Sequence, residues 1–444
     1  MLDVRNWFEE VAERTAMTVE RLPLDELGGW SRCASTGNIR HDSGKFFTVQ
    51  GLDVRLPGRA VDAWTQPIIN QPEVGILGIL IRRLDGGPQL LMQAKNEPGN
   101  HDGPQVSPTV QATRSNYTRV HKGRPVPYLE HFRNPSGRVL ADVRQSEQGA
   151  WFYRKRNRNM VVEVGEDVEV LDGFRWLTLE QVHGLLAVPD LVNMDARTVL
   201  ACLPVLGRPA PGADGFRAAL IRSRDPRQGA EHGIDEVLSW LSGIRSTVDI
   251  STEPIPLNRI RQWHRSDGRI SHESGRFFDI IGVRVVSAGR EVSSWTQPMI
   301  EPIGTGVVAF LVRRIGGVLH ALVHARVEPG YTDVVELAPT VQCVPANYDH
   351  LPPAARPLFL DAVLGAPPER IRYDTVLSEE GGRFYHARNR YLIVETDEDP
   401  APGHPDFRWL AMHQVVELLR HSYYLNVQAR TLSACLDSLT SAAG

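Results

Sequence analysis

The chain has 444 residues, well past the size at which a single hydrophobic core usually stops growing, so two or three domains are expected. Its 42% hydrophobic and 23% charged residues describe an ordinary globular protein, and a net charge of −4 argues against a nucleic-acid-binding surface, which usually carries a basic surplus. Apolar runs such as VGILGILI are too short to span a bilayer, the opening MLDVRNWFEEVAERT lacks the build of a signal peptide, and four scattered cysteines form no metal pattern, so a cytoplasmic setting is expected.

In chain order, a helix opens at residues 6–13. GKFFTVQGLDVRL (44–56) alternates like a strand bent at a glycine. VGILGILIRRL reads as a buried strand, DGG as a hairpin turn and PQLLMQAK as the partner strand. SPTVQAT reads as a strand with proline near its start, NMVVEV as another, and TLEQVHGLLAV and MDARTVLACL as helices. The predicted class is α/β.

The same series then repeats. HDSGKFF (41–47) returns as HESGRFF (272–278), AWTQPII (63–69) as SWTQPMI (294–300), and SPTVQATRSNY (107–117) as APTVQCVPANY (338–348). SEQGAWFYRKRNR (146–158) returns as SEEGGRFYHARNR (378–390), and NMDARTVLAC as NVQARTLSAC. Ordered matches of this length mark a duplicated gene, and the period is too long for a solenoid. An N-terminal repeat at 1–203, a linker rich in proline and glycine at 204–229, and a C-terminal repeat at 230–444 are expected.

HDSGKFF, WTQPII, GILGIL, AKNEPGN, SPTVQATRSNYTRVHKG and the SEQG and NRN strings together resemble the NDP-hexose 2,3-dehydratases, over nearly the whole chain from Trp30 to Cys435. The resemblance implies two tandem Nudix-like α/β/α repeats in one chain and a homodimer. It implies a dTDP-hexose substrate, dTDP-4-keto-6-deoxy-D-glucose, taken toward 2,6-dideoxy sugars for natural products such as antibiotics. One departure is informative. A Nudix hydrolase holds Mg²⁺ with a glutamate-rich helix, but HDGPQVSPTVQ and TDVVELAPTVQ, which follow the two EPG strings, have no such carboxylate cluster. Two rivals stay open: a non-catalytic nucleotide-sugar-binding module, and a nucleotide-sugar pyrophosphohydrolase, which the missing cluster disfavours.

Dehydration beside a C4 ketone needs a base for the acidic C3 hydrogen, a donor or cation for the enolate oxygen, and an acid for the departing C2 hydroxyl. There is no net redox change, so no cofactor and no metal is expected, and the chain has neither a Gly-rich dinucleotide fingerprint nor a P-loop. The diketone product implies a 3-ketoreductase acting next.

Glu336 aligns with Gln105, a carboxylate against a neutral amide, and is the candidate C3 base; an outward-facing glutamate is the plain alternative. Tyr385 (with Tyr153 as its counterpart) is a candidate acid or a core tyrosine. His272, like His41, titrates near neutral pH but recurs in both copies, which equally suits a shared loop hydrogen bond. Lys95 and Arg326 share an aligned position, facing either enolate and pyrophosphate or their neighbouring glutamates. Trp64 and Trp295 offer faces for a pyrimidine and Gln66 and Gln297 amides for its edge, or else the indoles cap the core. Arg156, Arg158, Arg388 and Arg390 offer pyrophosphate forks, with Asn157 and Asn389 on the opposite strand face, so only one of the two sets faces the site. Ser146, Glu147, Gln148 and Gly149, with Ser378, Glu379 and Arg383, form candidate ligand lips. Thr340 and Gln342 of APTVQ, and Tyr117 in the basic arm TRSNYTRVHKGR (113–124), complete the candidate substrate-binding set.

Overall fold

The computed structural model describes residues 2–114, 125–203, 215–287 and 292–441; Tyr117, most of the basic arm and the first part of the linker lie outside them. Over the described residues the chain is a mixed α/β protein with four sheets, two of seven strands and two of five.

The two seven-stranded sheets have the same order. In the first, Arg138–Ser146, Arg156–Glu163, Gly75–Leu84, Gly87–Lys95 and Phe174–Thr178 lie side by side, with short strands Gln105–Ser107 and Val110–Ala112 added to its two central members. In the second, Ile371–Ser378, Arg388–Glu395, Gly306–Ile315, Val318–Val327 and Phe407–Ala411 repeat that order. Each has one parallel pair, Gly75–Leu84 with Arg156–Glu163 and Gly306–Ile315 with Arg388–Glu395. The central strands are apolar on both faces because helices and short segments cover both sides.

SPTVQAT is not one strand. Pro108 and Pro339 have no N–H for a ladder, so each segment breaks at its proline and the halves pair with different neighbours. The threonine that follows repairs the gap. Thr340 Oγ1 accepts from the Leu311 N–H at 3.0 Å and donates to the Leu322 carbonyl at 2.5 Å, and Thr109 does the same between Leu80 and Leu91. The expected substrate contact at Thr340 is thus a bridge inside the sheet.

The five-stranded sheets tie the copies together by exchanging a strand. Met17–Leu22, from the start of the chain, lies antiparallel to Phe278–Ser287, and Ser251–Ile255 lies antiparallel to Thr48–Arg55. Glycine permits the close approach: a Cβ on Gly51 would come within 2.7 Å of Ile260, and one on Gly282 within 2.7 Å of the Leu22 carbonyl. Indole donors secure the exchange, Trp30 to the Thr296 carbonyl and Trp263 to that of Thr65. The largest apolar cluster accordingly draws on both copies, from Val4 and Trp7 to Leu436, with the helices Met194–Leu200 and Val427–Ser438 packed together at its centre. Among the described residues no helix is long and apolar enough to cross a membrane.

Candidate active site

The EPG loops decide where the clefts form. The Gly99 N–H donates to the Gly381 carbonyl and the Gly330 N–H to the Gly149 carbonyl, each at 2.7 Å. Any Cβ at Gly99 or Gly330 would sit 1.8 Å from the carbonyl oxygen of Phe384 or Phe152, so only glycine lets the backbones meet. Each candidate cleft is therefore walled by the EPG and PTVQ segments of one copy and by the SE(Q/E)G loop of the other.

Two buried pairs occupy matching positions in this arrangement. Ser378 Oγ lies 2.9 Å from Gln105 Nε2 and 3.1 Å from its Oε1. At the matching position Ser146 Oγ donates to Glu336 Oε2 at 2.5 Å. Glu336 is 0% exposed, on Val335–Ala338 opposite Arg326. Its other oxygen, Oε1, has no hydrogen-bond partner among the described residues. Burial pushes the Glu336 carboxyl up to about 8, against the opposing pull of the Ser146 hydrogen bond and the Arg430 charge.

Around Glu336, Arg326 donates to Glu328 Oε1 at 2.9 Å, and Gln342 Nε2 donates to the same oxygen at 2.9 Å. Asn426 Nδ2 donates to Gln342 Oε1 at 2.8 Å, while Asn426 Oδ1 caps its helix by accepting from the Ala429 N–H at 2.9 Å. Lys95, Glu97, Gln111 and Asn193 build the same framework in the first copy. Carboxylates from both copies also gather around Asp195. Asp195 is raised well above its ordinary range by burial and by the charges of Glu147, Glu97 and Glu380. Glu147 is pushed up to about 7 by burial, and burial brings its neighbour Lys155 down to about 8.

The lips divide their labour. Glu379 accepts from Asn389 Nδ2 and the Tyr391 hydroxyl, each at 2.6 Å, and from Gln148 Nε2 at 2.8 Å. Glu147 accepts from Asn157 Nδ2 at 2.8 Å and leaves its second oxygen unpartnered. Arg383 binds Glu380 at 3.2 Å and keeps a buried, unpartnered Nε. On the RNR strands it is the asparagines that face inward, Asn157 also holding the Gly75 N–H. The arginines face outward: Arg158 forks onto Asp142, Arg390 forks onto Asp374, and Arg156 donates to the Arg154 carbonyl.

Other candidates lie elsewhere. Trp64 and Trp295 donate to Gln66 and Gln297, whose own amides donate to the Ala150 and Gly382 carbonyls; all four hold the lips in place. His272 Nδ1 pairs with Ser274 Oγ at 2.7 Å, with Trp263 and Phe277 edge-on to its ring, and His41 repeats this with Ser43, Trp30 and Phe46. Tyr385 packs with Met17, Val19 and Trp295 over the exchanged strand and stacks on His386. His101, Asp102 and Asp190 bring potential metal-binding atoms within 4.8 Å of one another, but Arg388 already donates to Asp190.

Sequence reasoning passed over Arg197 and Arg430, both 0% exposed. Arg430 donates to the carbonyls of Ser146 and Leu425 and to the Thr198 hydroxyl, fixing the loop that carries Ser146; Arg197 binds the Ser378 carbonyl in the same way. Their signal was present in ARTV and ARTL, an arginine kept in both copies of a buried helix.

A family model described as NDP-hexose 2,3-dehydratase matches residues 1–203 and 234–436. The chain is 51% identical over 445 residues to a dTDP-4-dehydro-6-deoxy-alpha-D-glucopyranose 2,3-dehydratase of Saccharopolyspora spinosa, covering 98% of this chain and 90% of that one. It is 48% identical to proteins of the same description from Amycolatopsis orientalis and Streptomyces violaceoruber, again over 98% of this chain and over 90% and 96% of theirs.

Proposed function

The chain belongs to the NDP-hexose 2,3-dehydratase family, and we propose that it is a hydro-lyase that removes water from C2 and C3 of dTDP-4-keto-6-deoxy-D-glucose. The relatives' shared description supports the substrate and the reaction. Glu336 takes the C3 proton, the enolate forms on O4, and the C2–O bond breaks with loss of hydroxide as water. The resulting C2=C3 enol then takes a proton at C2 and becomes the 3,4-diketo-2,6-dideoxyhexose.

The observation that carries this reading is the state of Glu336: buried, with one oxygen held by Ser146 and the other unpartnered, and pushed up to about 8 by burial. A carboxylate so desolvated is a stronger base than one in water, as a carbon acid requires. Gln105 cannot do this, so the first cleft serves binding or support. Arg326, tied to Glu328, lies opposite Glu336 in the sheet, and the Arg430 charge favours the Glu336 carboxylate.

We read the matching halves, 1–203 and 230–444 about a linker at 204–229, as Nudix-like units, and the protein as a cytoplasmic homodimer serving deoxysugar biosynthesis for natural products. A 3-ketoreductase consumes the reactive diketone.

Incubation with the 4-keto sugar nucleotide in D₂O tests the reading. Deuterium at C3 of recovered substrate, with loss of the C2 hydroxyl, is the expected result. Release of thymidine monophosphate identifies a hydrolase and no change identifies a sensor; either outcome defeats the proposal.

A further inference from the structure

Among the further differences between the two clefts, two at aligned positions are coupled. Asn100 in the first copy corresponds to Tyr331 in the second, and Ser107 to Ala338. In the first cleft, Asn193 Nδ2 donates to Ser107 Oγ at 2.9 Å and to Gln111 Oε1 at 3.1 Å. In the second, alanine has removed that hydroxyl, and the Tyr331 phenol takes its place, accepting from Asn426 Nδ2 at 3.1 Å.

The direction of this bond is settled by the helix cap. Asn426 Oδ1 accepts from the Ala429 N–H, so its Nδ2 is what reaches the phenol. The phenol oxygen is therefore an acceptor there, and its own O–H is left to donate elsewhere. The ring lies flat against Gly149, where a Cβ would come within 2.6 Å of Cδ1, three residues beyond the Ser146 that holds Glu336. Tyr331 is 5% exposed and lies within electrostatic reach of Glu336 and Glu328. Burial and those two carboxylates raise the phenol's pKa, which keeps it protonated at neutral pH.

We propose that Tyr331 is the acid of the elimination, donating its phenolic proton to the C2 hydroxyl as the C2–O bond breaks. This rests on the dehydratase reading and on Glu336 as base. The C3–H electron pair forms the C2=C3 bond and the C2–O pair leaves with oxygen. The proton from C3 resides on Glu336 and that from Tyr331 leaves in the water. Proton return from Glu336 to the phenolate, through solvent, closes the cycle with one water released.

The test is Tyr331→Phe, alone and together with Ala338→Ser, which returns to Asn426 the hydroxyl acceptor that Ser107 provides in the other copy. Both are assayed with the 4-keto sugar nucleotide in D₂O, following deuterium at C3 of recovered substrate and loss of the C2 hydroxyl separately. Both variants should bind the nucleotide sugar within a few-fold of wild type and still exchange C3, while elimination falls by roughly 10²–10⁴-fold. The serine should not rescue it. Rescue by Ala338→Ser, or unchanged elimination in Tyr331→Phe, overturns the assignment by reducing the phenol to a hydrogen-bond filler. Loss of C3 exchange together with elimination also overturns it, making the phenol a donor to the enolate oxygen. Failure of the base reading is separate: it appears as C3 exchange that persists in Glu336→Gln.

Discussion

The two clefts share a scaffold and differ in a handful of atoms. Both are closed by an EPG loop against the other copy's lip, both have a serine hydroxyl reaching across, and both hang a glutamine and a glutamate from a helix-capping asparagine. In one the serine meets Gln105, an amide whose donor and acceptor are both within its reach. In the other it meets Glu336, whose second oxygen finds no partner among the described residues. Duplication preserves the frame, and a change of one group from –NH₂ to –O converts a satisfied hydrogen bond into a buried, basic carboxylate. On the proposed reading, reactivity comes from one incomplete serine–carboxylate pair beside a completed serine–amide twin.

The sharpest break in that comparison is Glu336→Gln, which gives Ser146 the amide partner that Ser378 has in the first copy. Turnover should fall on the order of a thousandfold, with nucleotide-sugar affinity within a few-fold, while Gln105→Glu leaves turnover near wild type. Steady-state kinetics beside calorimetric binding checks both. Next in size are the supports. Arg430→Met leaves the carbonyls of Ser146 and Leu425 without a donor and should cost about 3 kcal/mol in chemical denaturation. Gly330→Ala forces a Cβ onto the Phe152 carbonyl and should cost about 1–3 kcal/mol, as should Gly99→Ala at the twin contact.

Subtler still is Ser146→Ala. Removing the donor to Glu336 raises that carboxyl further, so the rise of kcat with pH, centred near 8 in the wild type, should move up by roughly half a unit to one unit. Ser378→Ala should leave the profile in place. The smallest effect is on stability. Glu336 and Glu147 have folded-state values above the ordinary 4.5, so the folded chain holds protons that the unfolded chain releases. The stability they contribute is whole below about pH 4.5 and is lost as pH rises through about 7 for Glu147 and about 8 for Glu336. Melting curves should therefore show Glu336→Gln gaining roughly 2–4 °C on the wild type at pH 9 and little at pH 5.

Much of this was legible in the sequence because it recurs. The repeats foretold two matching α/β sheets, and the alternation of RNR foretold that asparagine and arginine would part company across a strand. The Gln105/Glu336 difference singled out one side chain. The cross-copy pairing was not legible, since nothing local says that Ser146 meets a residue 190 positions away or that Met17–Leu22 joins a strand near residue 280. Trp64 and Gln66 looked like ligand groups because a hydrogen bond between neighbours on one strand face leaves no mark in a sequence. Asn100 and Tyr331 follow the two EPG strings, but the exchange gained meaning only when Tyr331 proved to accept from Asn426 as Ser107 accepts from Asn193 in the other copy.

The account turns on which carboxylate removes the C3 hydrogen. Exchange at C3 of the bound 4-keto sugar nucleotide, followed by NMR in D₂O for Glu336→Gln, measures that step without waiting for elimination. The expected result is that deuterium no longer enters C3 while the variant stays folded and binds substrate. Deuterium entering at the wild-type rate would place the base elsewhere and contradict the account.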